Sequence, residues 1–242
     1  MISIVVPTYN EEKNIERCLT ALANQTVPRE QMEIIVVDGN SKDRTREIAA
    51  EIADVVMIQT SEGVGGARND GFKAAKYDIV ATTDADCEPS KIWVESILKK
   101  FEKDKVVAVT GILKPFDWND MNWLDILVYR GIFEAANLML MIMALFGQYH
   151  LCGANSAFRK HVFIDLGGYL PLAYADDVEI FKRIKKLGEV ELSGSMQINY
   201  SVRRIKKIGL MNYFYLILKM DTEIMILGRQ PMKGSYARMN YD

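Results

Sequence analysis

Asp84 and Asp86 stand one residue apart in Ala81-Thr82-Thr83-Asp84-Ala85-Asp86, and their type and spacing point to metal chemistry. They close a small, β-prone run over residues 77–83. Two carboxylates at the mouth of a strand resist burial unless something offsets their charge. A hard divalent cation does so, because magnesium-type ions take oxygen ligands and bind one or two carboxylates together with substrate phosphates. The other reading is a solvated loop before a helix opening near Pro89. The Asp-x-Asp pattern is short, so the elements around it must decide.

Those elements alternate. Residues 2–6 are short, apolar and β-branched and read as a buried strand that Pro7 stops. A helix follows, with Asn10 or a neighbour as cap and Ile15, Leu19 and Leu22 at helical spacing. Residues 33–37 form a second strand ending in Asp38, and Ser41 can cap a helix through Ile48 and Ile52. Residues 55–59 form a third. Gly63-Val64-Gly65-Gly66-Ala67-Arg68-Asn69 reads as a glycine-rich turn running into a helix to about Ala75. The fourth strand delivers Asp84 and Asp86. Continuous apolar strands separated by amphipathic helices predict an α/β chain with a Rossmann-like, mostly parallel sheet covered on both faces.

In such sheets ligands bind beyond the carboxyl ends of the strands. Those ends carry Tyr9 with Glu11, then Asp38, Arg68, and Asp84 with Asp86. The glycine-rich turn lacks the Gly-Lys-Ser/Thr ending of a P-loop and does not follow the first strand as a dinucleotide fingerprint does.

The motifs Pro7-Thr8-Tyr9-Asn10-Glu11, Val37-Asp38-Gly39-Asn40-Ser41, Gly65-Gly66-Ala67-Arg68-Asn69 and Asp84-Ala85-Asp86 follow in order. Gly153-Ala154-Asn155-Ser156-Ala157-Phe158-Arg159, Leu166-Gly167-Gly168-Tyr169 and Ala175-Asp176-Asp177-Val178-Glu179 come after them. Together they resemble glycosyltransferase family 2. The resemblance implies a GT-A fold, inversion at the sugar carbon, a UDP- or GDP-sugar donor and Mn2+ or Mg2+. It implies nucleotide-sugar binding by Pro7, Tyr9, Glu11, Asp38, Arg68, Asp84 and Arg204, metal binding by Asp84 and Asp86, and a general base at Asp177. Two departures stand out: the acidic pair is Asp176-Asp177 where the family usually has Glu-Asp, and no Trp accompanies the arginines near residue 204. Asp176 and Asp177 can equally cap the helix they open.

The 30 Lys and Arg nearly balance the 32 Asp and Glu, so nothing points to nucleic acid. Three cysteines (Cys18, Cys87, Cys152) without metal-like spacing, and no leader ahead of the first strand, predict a reducing, cytoplasmic setting. The expected organisation is a donor half over 1–110, an acceptor half over 111–204, and a C-terminal amphipathic helix and tail over 205–242. Residues 121–146 read as one long helix ending in a run, 138–146, that is apolar all round. Those nine residues fall short of the ~20 that span a bilayer. The run therefore reads as a buried helix, an oligomer contact or an interfacial helix. The cluster Arg203-Arg204-Ile205-Lys206-Lys207, ahead of a helix over 210–227, suits anionic headgroups or a phosphate. The expectation is peripheral association with the cytoplasmic membrane face and a lipid-linked acceptor. Two other functions use the same features. A nucleotidyltransferase shares such a sheet, but a glycine- and lysine-rich loop is expected where this chain has residues 8–12. A nucleotide-sugar-binding relative without transfer activity is the other, against which Asp86 and Asp177 argue.

Overall fold

Seven elements in strict alternation build the first third of the chain: β1 (Ile2–Thr8), α1 (Ile15–Ala23), β2 (Met32–Asp38), α2 (Thr45–Ala50), β3 (Val55–Ile58), α3 (Gly63–Ala74) and β4 (Ile79–Thr82). β5 (Cys87–Pro89), α4 (Trp93–Lys100), β6 (Val106–Phe116), α5 (Trp123–Leu145), β7 (Ser156–Arg159), α6 (Lys160–Asp165), α7 (Asp176–Ile184), β8 (Glu189–Ser201) and α8 (Arg203–Ile208) follow. This computed structural model describes residues 1–118, 121–147, 149, 151–172 and 176–209, and the isolated positions 212, 215 and 219. The expected helix over 210–227 and the tail beyond it lie outside the described residues, apart from those isolated positions.

One eight-stranded sheet carries the order β3-β2-β1-β4-β7-β6-β8-β5. β1 to β4 pair in parallel, as the alternation predicts. The far half is mixed: β7 runs antiparallel to β4 and β6, β8 is parallel to β6, and β5 is antiparallel to β8. Alternate residues of β1 face opposite layers. Ile2, Ile4 and Val6 pack with α1 and α4 through Leu19, Leu22, Trp93 and Ile97. Val5 packs with Phe72 of α3, Phe163 of α6 and Phe181 of α7. Each fully buried side chain of this size contributes about 1.5–3 kcal/mol, so both faces hold the sheet.

Several local expectations are corrected. β1 runs through Pro7 to Thr8 rather than stopping at Pro7. Its pairing with β4 ends at Val5↔Thr82, and the Val5 carbonyl points to that side, so the missing Pro7 N–H faces beyond the ladder. Asn10 does not cap α1, which begins at Ile15 without a side-chain cap bond. Ser41 does not cap α2, which begins at Thr45. Gly63 to Gly66 form the first turn of α3 itself rather than a preceding loop. Pro89 lies in β5, and the next helix opens at Trp93.

α5 is capped by Asn122, whose side chain accepts from the Asp125 amide. None of its 23 residues is buried, which removes the buried-helix reading. The nine-residue estimate is also corrected: mean hydropathy reaches 1.6 over an 18-residue window, so α5 is long and apolar enough to cross a membrane by length and composition.

Candidate active site

The in-register pairing of β1 with β2 sets Thr8 opposite Asp38 at one rim. Asp38 is fully buried, and its carboxylate accepts from the Ser41 amide at 2.8 Å and the Ser41 hydroxyl at 2.5 Å. The Ser41 hydroxyl in turn accepts from the Asn10 amide at 2.8 Å. The Asn10 side chain accepts from the Lys42 amide at 2.9 Å, and the Glu11 amide donates to the Thr45 hydroxyl at 2.8 Å. The loops after β1 and β2 are thus sewn together, and Asn10 (φ 54°) and Asn40 (φ 70°) make the left-handed bends this needs. Pro7 is buried within β1, whereas Tyr9 stands 36% exposed beside Gly39 of the loop after β2.

Arg68, on α3, is 4% exposed and joins two acidic segments. Its Nη2 donates to Asp84 Oδ1 at 2.8 Å, and its Nη1 lies 3.5 Å from Asp176 Oδ2. Its guanidinium sits 5.6 Å from the Tyr169 ring centroid. Burial works against its charge, but Asp84 and Asp176 outweigh burial and hold it firmly protonated. Two glycines leave room for this arrangement. A Cβ at Gly65 would lie 2.7 Å from Asp176 Oδ2, and one at Gly153 would lie 2.9 Å from Arg68 Nη1. Arg68 is therefore an interior cation of the site, not a surface charge.

Asp176 and Asp177 occupy the first turn of α7 and have different environments. Asp176 is buried, and burial together with Asp177 raises its pKa against the pull of Arg68. Among the described residues its Oδ2 accepts no hydrogen bond. Asp177 is half-buried; its Oδ2 accepts from the Gly153 amide at 3.0 Å and its Oδ1 from the Val178 amide at 2.9 Å.

Asp86 lies on the other side of Asp84's loop and meets Arg203, a residue the sequence reading placed only within a basic cluster. Arg203 Nε donates to Asp86 Oδ2 at 3.0 Å and Nη1 donates to Glu11 Oε2 at 3.0 Å, with Nη2 reaching Glu11 Oε1 as well. Burial pushes the Asp86 carboxyl up to about 6; Arg203 opposes that shift, while Asp84 and Glu11 add to it. Arg204 is the next residue of α8, and its side chain lies outside the described residues. Asn155 was also missed as a structural centre. Its side-chain nitrogen donates to the Ile112 and Met196 carbonyls, and its oxygen accepts from Trp93 Nε1. Cys18 and Cys87 lie behind the Asp84–Asp86 turn, and burial raises both thiols far from ionisation.

Among the described residues no group of three or more His, Cys, Asp or Glu side chains is placed to hold a metal ion. Asp84 and Asp86 fit the narrower need of an ion that brings its remaining ligands with a diphosphate. Asp84 is 38% exposed at its side chain, and Asp86, together with Glu11, already binds a cation in the form of the Arg203 guanidinium.

The parallel β1–β4 half, extended by a mixed half, has the GT-A fold of the glycosyltransferases it superposes on. A Pyrobaculum calidifontis mannosyltransferase, PcManGT, solved with GDP-Man and Mn2+, superposes with a TM-score of 0.63 at 22% identity, over 90% of this chain and 64% of its own. The description Glycosyl transferase family 2 matches residues 3–167, and the chain belongs to that family. The probable glycosyltransferase YdaM of Bacillus subtilis is 30% identical over 203 residues, 77% of this chain and 47% of YdaM. A glucosyl-dolichyl phosphate glucuronosyltransferase of Haloferax volcanii is 28% identical over 184 residues, 69% of this chain and 55% of that protein. The chain spans about half or less of the length of the first curated relatives it matches.

Proposed function

We propose that the chain is an inverting glycosyltransferase that moves a sugar from a UDP- or GDP-sugar to a hydroxyl or phosphate of a lipid-linked acceptor. The observation that carries this reading is Arg68, which ties the metal-type Asp84 to the Asp176–Asp177 segment across the rim of the sheet. Residues 1–110 supply the donor half and residues 111–204 the acceptor half, with α8 closing over the donor side.

Asp38 and Tyr9 hold the nucleoside, with the backbone of the Pro7 segment supporting them and Glu11 flanking the ribose. Asp84 and Asp86 are the residues that would hold Mn2+ or Mg2+, which when bound supplies positive charge to the diphosphate leaving group. Asp177 takes the proton of the acceptor hydroxyl as the new C–O bond forms at the anomeric carbon. The bond to the diphosphate breaks, and the nucleoside diphosphate leaves. Asp177 suits this role better than Asp176, because Asp176 is buried and committed to Arg68, whereas Asp177 is half-exposed. A base in this position contributes about 10²–10⁴-fold. The exposed α5 and a relative named for a dolichyl phosphate substrate favour a lipid-linked acceptor and peripheral attachment at the cytoplasmic membrane face.

The test is a thermal-shift screen with UDP-, GDP- and dTDP-sugars, each with Mn2+ or EDTA, followed by transfer assays. One donor should stabilise the protein only with metal. Asp177→Asn should keep that stabilisation and lose transfer by about 10²-fold or more. Equal stabilisation in EDTA would sink the metal assignment. Normal turnover in Asp177→Asn with loss in Asp176→Asn would move the base to Asp176.

A further inference from the structure

Arg203 and Arg68 both bind carboxylates of the site, yet their settings differ. Arg68 is 4% exposed and spans two segments of the interior. Arg203 has a side chain 24% exposed and bridges Glu11 and Asp86, whose side chains are 13% and 16% exposed. Its Nε and Nη2 both approach the same oxygen, Asp86 Oδ2, at 3.0 and 2.9 Å. The backbone beneath it is anchored, since Val202 and Ile205 are fully buried.

We propose that Arg203 is an exchangeable internal counter-ion, holding Asp86 and Glu11 in the metal-free protein and releasing Asp86 when a divalent cation is held by Asp84 and Asp86. The proposal rests on the metal reading given above. Two carboxylates this sheltered repel each other, and one guanidinium between them relieves the repulsion. A divalent cation satisfies the same electrostatic need with shorter oxygen contacts. Asp86 Oδ2 cannot serve both partners along one direction, so the two cations compete. The long Arg203 side chain can swing while α8 stays docked through Val202 and Ile205. The freed planar fork is then matched to phosphate oxygens. Metal alone must break the Arg203 contacts, whereas metal with a diphosphate offers the displaced guanidinium a new partner. Metal and donor are therefore coupled through this residue.

The experiment is Mn2+ titration of the metal-free protein, followed by electron paramagnetic resonance of the free ion, with no donor present. Arg203→Ala and Arg203→Gln are compared with the native chain and with Asp86→Asn, and thermal melts confirm that each is folded. The neutral variants should bind Mn2+ about tenfold more tightly than native, the size of a contact of about 1.4 kcal/mol. Asp86→Asn should abolish binding. Adding UDP or GDP should then raise Mn2+ affinity in the native chain more than in either Arg203 variant. Unchanged or weaker Mn2+ affinity in folded Arg203→Gln, with Asp86→Asn still abolishing it, overturns the exchange and leaves the metal site standing. No Mn2+ binding in the Arg203 variants without donor overturns the exchange, and none in any variant even with UDP or GDP overturns the metal site as well.

Discussion

Two aspartates of this protein have pKa values shifted in opposite directions, although burial raises both, and their neighbours explain why. Asp70 accepts from the amides and hydroxyls of Thr60 and Ser61 at 2.6–2.9 Å. Burial works against its charge, but these bonds outweigh burial and lower its pKa. Its contribution to stability is present above the unfolded value near 3.8 and is lost as pH falls through the lowered folded value. Asp86 is raised from 3.8 to about 6, so its ionised form costs stability in the metal-free protein. That cost is absent below the unfolded value, grows between about 4 and 6, and is fully present above 6. Asp86→Asn should therefore stabilise the metal-free protein at pH 7–8 by no more than about 3 kcal/mol. Denaturant melts at several pH values should show the gain shrinking toward pH 4. A gain that is constant with pH would show that the effect is not one of ionisation. Asp38→Ala is expected to weaken nucleotide affinity by about tenfold or more, because Asp38 presents the rim that Ser41 and Asn10 are built around.

At the scale of elements, the second half of the sheet is held at one buried side chain. Asn155 links α4 through Trp93, β6 through Ile112 and β8 through Met196, where the β6–β8 register shifts between Gly111 and Ile112. Removing its amide strands three buried partners. Asn155→Ala is predicted to lose about 2–3 kcal/mol of stability by chemical denaturation, with nucleotide affinity falling only as the protein unfolds. A loss below about 0.5 kcal/mol would mean water replaces the amide. The position also matters for function, because Gly153, two residues earlier, holds Asp177 by its amide.

For the whole molecule, the exposed α5 dominates. Trp123, Leu127, Leu138, Met139, Leu145 and Phe146 are each at least 60% exposed. On α8, Lys206 and Lys207 are exposed while Arg203 turns inward, so the proposed membrane attachment draws its basic charge from the lysines. The proposed peripheral attachment combines apolar burial with basic charge, the two-signal arrangement of interfacial anchoring. The purified chain is expected to float with anionic liposomes at low salt, less so as salt rises. Met141→Glu and Lys206→Glu/Lys207→Glu should each reduce flotation severalfold. If the native chain fails to float and instead forms a dimer that Met141→Glu dissolves, α5 is a contact between copies.

Much of this was legible in the residues alone. The alternation of β-branched runs and amphipathic stretches set β1 to β4 in order, and Glu11, Asp38, Asp84 and Asp86 fell at or just beyond their carboxyl ends because connections in such sheets are short and regular, whereas Arg68 lies within α3. These signals are local: periods of about 2 and 3.6 residues are written in neighbouring side chains. Strand direction beyond β4 was not legible, since an apolar run reads the same in either direction. The partner of Asp86 was not legible either. Arg203 and Arg204 are adjacent, and successive helical residues point about 100° apart. Which of them meets Asp86, 117 positions away, depends on how α8 docks through Val202 and Ile205. Likewise Ser41 suited a helix cap by type, but the packing of β1 beside β2 brought it to Asp38 and Asn10 instead. The chain's own pattern determined the family fold and the acidic rim, and tertiary packing alone decided which cations neutralise that rim.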